Sequence, residues 1–159
     1  MSRQNWKTPK YLFDWCVEMF GPFNIDAAAD DDNHLCPEYW THKDDALKQD
    51  WSDKLIFCNP PFDKARQFVS KASGASINSN ARICMILPAA TSSWYFHDAI
   101  DRDAADCYLI IPRVRFVDPR GLDRQSPPGG VMVMNFHPEA SGKILAVRLT
   151  PDGRATIIQ

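Results

Sequence analysis

The chain has 159 residues, of which 45% are hydrophobic and 24% charged, close to globular averages and unlike a disordered chain, a fibre or a coiled coil. Lys and Arg number 18 against 20 Asp and Glu, a net charge of -2, which excludes a strongly basic nucleic-acid coat and leaves only a local patch for any phosphate contact. No apolar run is long enough for a membrane span, and the N-terminus shows no secretory signal, so a single domain over 1–159 in a cytoplasmic setting is expected.

Thr8 and Pro9 predict a helix start, with Thr8 as N-cap and Pro9 at the first helical position. Leu12, Trp15, Cys16 and Met19 then recur at helical spacing until Gly21–Pro22 stops the pattern. A short strand over Phe23–Asp26 ends in an acid and leads into Ala27–Ala28–Ala29, followed by a polar, loop-rich stretch from Asp30 to Asp53 with one short strand near Glu38–Thr41. Lys54–Cys58 reads as a strand buried on both faces and runs directly into Asn59–Pro60–Pro61–Phe62. Asp63 can cap the next helix, whose inner face is Ala65, Phe68, Val69, Ala72 and Ser76. A strand over Arg82–Leu87, a helix over Ser93–Arg102 and a strand over Cys107–Ile111 follow. Residues 113–130 read as an irregular loop, long enough to suggest function. Strands over Val131–Phe136, Ile144–Leu149 and Ala155–Ile158 finish the chain.

Alternating strands and helices imply right-handed crossovers and a mostly parallel twisted sheet with helices on both faces. The last strands follow one another without helices, which predicts an antiparallel C-terminal edge. Ligands in such sheets bind beyond the carboxyl ends of the strands, where Asp26 and Asn59 both fall. The five cysteines include no CxxC pair, and Cys58 and Cys84 lie inside apolar runs, which fits small buried hydrophobes in a reducing compartment. The four histidines lack the close pairing of a zinc site, so no metal is expected.

Asn59–Pro60–Pro61–Phe62 carries the most chemistry. Prolines donate no backbone N–H, so the Pro60 carbonyl and the Asn59 side-chain oxygen are two acceptors side by side. Together they suit the two hydrogens of an exocyclic amino group, while Phe62 offers a face on which a planar ring can stack. A plain Pro-Pro turn after a strand is the alternative. Arg113, Arg115, Arg120 and Arg124 place four cations in the irregular loop, suited to DNA phosphates or a guanine edge, or to ordinary surface charge. Phe116 suits either a wedge beside an extruded base or a packing role under the loop.

The tetrapeptide resembles the NPPY/F and DPPY/F motif of amino-group methyltransferases that use S-adenosylmethionine (SAM). The wider ordered set resembles the small phage-type DNA N6-adenine methyltransferases. It comprises Trp6–Pro9, Phe20–Phe23, Ile25–Asp30 with Asn33, Asp45–Leu47 with Asp50–Trp51, Phe57–Phe62, Leu87–Ala89 and Arg113–Phe116. Methyltransferases at large carry a glycine-rich loop after the first strand; here Asp26–Ala27–Ala28–Ala29–Asp30 stands in its place, a version the phage-type group shares.

The resemblance implies a Rossmann-like class I methyltransferase fold, SAM as methyl donor and double-stranded DNA as partner, with no obligate protein partner and host cytoplasm as the location. It implies catalytic roles for Asn59, Pro60, Pro61 and Phe62. It implies cofactor contacts from Trp6, Thr8, Pro9, Asp26, Ala27 and Ala28, and an acid for the cofactor adenine, Asp45 first and Asp50 second. DNA contacts fall to Arg113, Arg115, Phe116, Arg120 and Arg124. Trp51 reads as a core residue beneath the motif strand rather than a stacking residue. Rival functions are methylation of another planar amide, such as a protein glutamine side chain, and an inactive DNA- or SAM-binding module.

Overall fold

The computed structural model describes residues 7–117, 124–125 and 127–158; Trp6 and Arg120 therefore lie outside the described residues. Helix α1 (Lys10–Phe20) is followed by strands β1 (Ile25–Asp26), β2 (Glu38–Tyr39) and β3 (Leu55–Cys58). Then come α2 (Ala65–Asn78), β4 (Arg82–Pro88), α3 (Trp94–Asp101) and β5 (Ala105–Ile111). Strands β6 (Phe116–Val117), β7 (Arg124–Gln125), β8 (Val131–Phe136), β9 (Ile144–Leu149) and β10 (Ala155–Ile158) complete the order.

Eight strands form one sheet in the order β10-β9-β5-β8-β4-β3-β1-β2. Strands β2, β1, β3 and β4 are parallel neighbours, and β9 is parallel to β5. The expected mixed α/β fold is present, with β10 as an antiparallel edge on β9. Strand β8 does not stay at that edge: it inserts between β4 and β5, antiparallel to both. Its burial explains the placement, because Val131 to Met134 are all buried and such a strand needs a covered partner on each side.

Side chains alternate across the sheet, as strand geometry requires. Ile83, Met85 and Leu87 of β4 join Met132, Met134 and Phe136 of β8 in a core covered by α2 and α3. Cys84 and Ile86 point the other way, to Val131 and Val133 and to Leu12, Trp15 and Cys16 of α1. All five cysteines are buried free thiols, packed as small hydrophobes. Burial pushes the thiols of Cys36 and Cys107 up to about 12.

Four local expectations are corrected. Pro9, not Thr8, occupies the N-cap position of α1, and no side chain caps it. Met19 is 43% exposed, because the buried stripe of α1 is Leu12, Trp15 and Cys16. Asp63 lies within a 3-10 turn, Phe62–Lys64, so it does not cap α2; the Lys64 amide bonds the Pro61 carbonyl at 2.9 Å and sets that turn first. The stretch expected to be irregular contains the antiparallel pair β6 and β7, with Phe116 opposite Gln125. Gly21 ends α1 by close approach: a Cβ there would lie 2.7 Å from the Val17 carbonyl oxygen.

Candidate active site

Asn59 leaves the carboxyl end of β3, next to β1, whose last residue is Asp26. The Asn59 Nδ2 donates to Thr8 Oγ1 at 3.0 Å. Thr8 thus serves as an orienting partner for the motif asparagine rather than as a helix cap. With the amide nitrogen held on Thr8, the planar amide sets Oδ1 on the other branch, away from Thr8. Pro60 is buried, and the Pro61 carbonyl is committed to Lys64, so Pro60 supplies the second acceptor the motif can offer.

Phe62 is half-buried and meets Phe116 edge-on, with ring centroids 6.3 Å apart and planes at 77°. Phe116 itself is fully buried, which favours packing beneath the loop over a wedge on the surface. Val114 is buried as well, while Arg113 and Arg115 between these anchors are exposed. This alternation presses the loop onto the motif by its apolar side and turns two guanidinium groups outward. Arg124 belongs to β7, with its backbone opposite Val117.

Asp26 is 3% exposed and accepts from the amides of Ala28 (3.3 Å) and Leu35 (3.0 Å). Burial raises its pKa to about 6, and the two amide bonds only partly oppose that rise. The carboxyl group therefore shapes the loop that follows β1. Ala27 and Ala29 are buried in that loop, their amides bonded to the carbonyls of Phe57 and Trp40. Small side chains are what this packing admits.

Asp45 adopts a positive φ of 53° and accepts from the Leu47 amide at 3.2 Å, capping the short turn Ala46–Lys48. Asp50 is exposed and accepts from the Ser52 amide, which lowers its pKa. Trp51 is 1% exposed, donates to the Ala46 carbonyl at 2.9 Å and packs on Phe68, as expected of a core residue. A cavity of about 400 Å³ opens beside these loops, lined by Lys7, Asp30, Asp31, Asp32, Asn33 and Lys43 among others. Neither Asp45 nor Asp50 lines it. Lys7 and Asn33 stand in the family pattern with no role of their own, and Lys43 stands outside it; for Asn33 and Lys43 the one local signal is the polarity of the stretch after β1.

Residues 1–150 match the family described as DNA N-6-adenine-methyltransferase (Dam). A DNA N-6-adenine-methyltransferase of Escherichia phage T1 is 32% identical over 98 residues, which are 61% of this chain and 41% of that protein. A protein of the same description from Haemophilus phage HP1 is 24% identical over 139 residues, 85% of this chain and 79% of the relative. The match to the T1 protein thus spans under half of that relative's length. No solved structure matches the chain. With nearly its whole length matched, and with the Asn-Pro-Pro-Phe turn at the carboxyl edge of a mixed sheet, the chain belongs to the DNA N-6-adenine-methyltransferase (Dam) family.

Proposed function

We propose that this chain transfers a methyl group from SAM to the N6 amino group of adenine in DNA. The observation that carries the reading is the Asn59 amide, held by Thr8 at the end of β3 and followed by Pro60 and Phe62. Two acceptors at that point suit an exocyclic amine, and the half-buried Phe62 suits a flat base. The exposed pair Arg113 and Arg115 favours a polyanionic substrate over a protein glutamine.

The residues around β1 fit SAM by their chemistry. The cavity beside Lys7 sets two ammonium groups among three carboxylates, which suits a ligand carrying both an amino group and a carboxylate. Its volume of about 400 Å³ falls within the ordinary range for small-molecule sites. Asp26, Ala27 and Ala28 stand just before the acidic residues that line it and Thr8 and Pro9 just after Lys7 in the chain, but none of the five is among its lining residues. Asp45 keeps 43% of its side chain exposed while capping its turn, so it can also accept from the adenine amino group of the methyl donor; Asp50 is the second candidate. When bound, SAM supplies an electrophilic methyl group on a positively charged sulfur.

The target adenine is stacked inside the duplex and has to be extruded, at a cost of a few kcal/mol. Asn59 Oδ1 and the Pro60 carbonyl then accept the two N6 hydrogens. That raises electron density on N6 and points its lone pair at the methyl group. N6 would then be the nucleophile toward the methyl group that SAM would supply, and the surplus proton, shared with Asn59 Oδ1 or the Pro60 carbonyl, would pass to solvent. Phe62 fixes the ring plane. The gain is positioning together with aimed hydrogen bonds.

The test is transfer of labelled methyl from SAM to DNA lacking N6-methyladenine, with nucleoside analysis of the product. N6-methyladenine is the expected product. Label recovered only in protein, or none at all with DNA, SAM and folded chain present, overturns the proposal.

A further inference from the structure

Trp94 opens α3 and is 88% exposed, the most exposed of the large apolar side chains among the described residues. The buried face of α3 is Phe96 and Ala99, and position 94 lies off that face. Its position matters more than its exposure, since scattered surface hydrophobics are ordinary. Strand β4 runs parallel to β3, and both end at the edge of the sheet that carries the Asn-Pro-Pro-Phe turn. Asn59 and the Pro88–Trp94 connection therefore leave the sheet side by side, from neighbouring strands.

The connection is tied down. The Ala89 amide bonds the Gly130 carbonyl at 3.0 Å, and Ser93 bonds the Ala90 carbonyl through both its amide and its Oγ. Thr91, Ser92 and His97 around the indole are exposed and polar, so Trp94 is a single ring in a hydrophilic setting rather than part of a broad apolar face. Arg113 and Arg115 stand exposed beyond the end of β5, at the same edge of the sheet. A lone flat ring on a polar turn, at a sheet edge that also carries two exposed cations, suits nucleic-acid bases and phosphates better than a protein surface.

We infer that Trp94 stacks on the DNA bases left exposed beside the adenine presented to Asn59, and so holds the duplex open next to the site. This rests on the DNA-adenine reading above. Extruding a base unstacks its neighbours, and an aromatic side chain brought to the gap recovers part of that loss. Every base has a face to offer, so the contact works without reading sequence.

The test compares wild type, Trp94→Ala and Trp94→Phe for methyl transfer to adenine-unmethylated plasmid DNA, supplied as duplex and as heat-denatured single strands. Melting temperature and SAM affinity are measured alongside and should hold, because the side chain is outside both core and cavity. On duplex DNA, Trp94→Ala should be slower by about tenfold, within the range that base–aromatic stacking supports. On single strands it should stay close to wild type, and Trp94→Phe should recover most of the duplex rate. Wild-type rates from Trp94→Ala on duplex, or an equal loss on both substrates, would overturn the inference while leaving the methyltransferase reading in place. A wild type that methylates neither substrate would instead remove that reading, and this inference with it.

Discussion

Two buried aspartates sit at opposite edges of the sheet, each about 3% exposed, and their acidities move in opposite directions. Asp106, at the amino end of β5, meets His137 Nε2 at 3.0 Å and the amides of Ser141 and Lys143 at 3.0 and 3.2 Å. Burial alone would raise its pKa, but these partners outweigh it and the value is lowered. Asp26, at the carboxyl end of β1, has two amides and, among the described residues, no ion pair, so burial wins and its pKa rises to about 6. The amino edge is a finished structural clasp, extended by His137 to Glu139 and on to Arg82. The carboxyl edge carries an acid whose burial outweighs its two amide bonds, half-buried Asn59 resting on Thr8, and outward Arg113 and Arg115.

The sharpest way to break this contrast is to remove one group from each edge. Asn59→Ala should leave the melting temperature nearly unchanged while slowing methyl transfer by roughly 100–1000-fold, by analogy with deletion of one aimed hydrogen-bond partner of a transition state. Steady-state rates on DNA check it, and near-wild-type turnover would deny Asn59 its role. Asp106→Ala should do the reverse. Removing the buried carboxylate takes an acceptor from His137 and from the Ser141 and Lys143 amides, at a cost of about 1–3 kcal/mol of stability for each buried group left without a bond. SAM affinity of the protein that remains folded should not change, as denaturant titration and calorimetry would report.

Much of this contrast was legible beforehand, on one edge. The apolar run of β3 feeding Asn-Pro-Pro-Phe marks the carboxyl edge from local pattern alone. The role of Thr8 was not legible, because its partner Asn59 stands 51 positions away and the local pattern Thr-Pro already satisfies a helix-start reading. The Asp106 clasp was not legible, because the expected strand Cys107–Ile111 left Asp106 outside it, whereas β5 begins at Ala105, and the partner His137 stands 31 positions away. The insertion of β8 between β4 and β5 depends on pairings that no local periodicity encodes. Residues 118–123 lie outside the described residues, so the expectations for Arg120 stand where the sequence left them.

The two acids also separate by pH. The folded pKa of Asp26, about 6, lies above its unfolded value near 3.8. Between these values the folded state holds a proton that the unfolded state has released. Stability therefore falls as pH rises from about 4 to about 6, by an amount on the order of 3 kcal/mol, and levels off above. Asp106 has a lowered pKa, so its contribution is intact above the unfolded value and is lost only as pH falls through its folded pKa, below 3.8. Denaturation midpoints measured from pH 3 to 7 should show both windows, and Asp26→Asn should remove the upper slope while sparing the lower one. Equal slopes in wild type and Asp26→Asn would mean that Asp26 is solvated in the folded chain.

The smallest effect tests whether the carboxyl edge is organised or merely assembled. Thr8→Val keeps the branched shape of the side chain and removes Oγ1, the acceptor on which Asn59 Nδ2 rests at 3.0 Å. A neutral hydrogen bond of this kind contributes only about 0.5–1.5 kcal/mol to stability, so the fold should persist. The consequence for catalysis is different in kind. Without Thr8 one hold on the Asn59 amide is gone, and Oδ1 should spend part of its time turned from the position proposed for N6. That is a loss of positioning, so kcat should fall by up to about tenfold while the KM for DNA changes little. Thr8→Ser restores an oxygen and should restore most of the rate, which a purely steric role for the threonine would not produce. If Thr8→Val turns over like wild type, the Asn59 amide is oriented by other contacts and the pairing with Thr8 is structural alone.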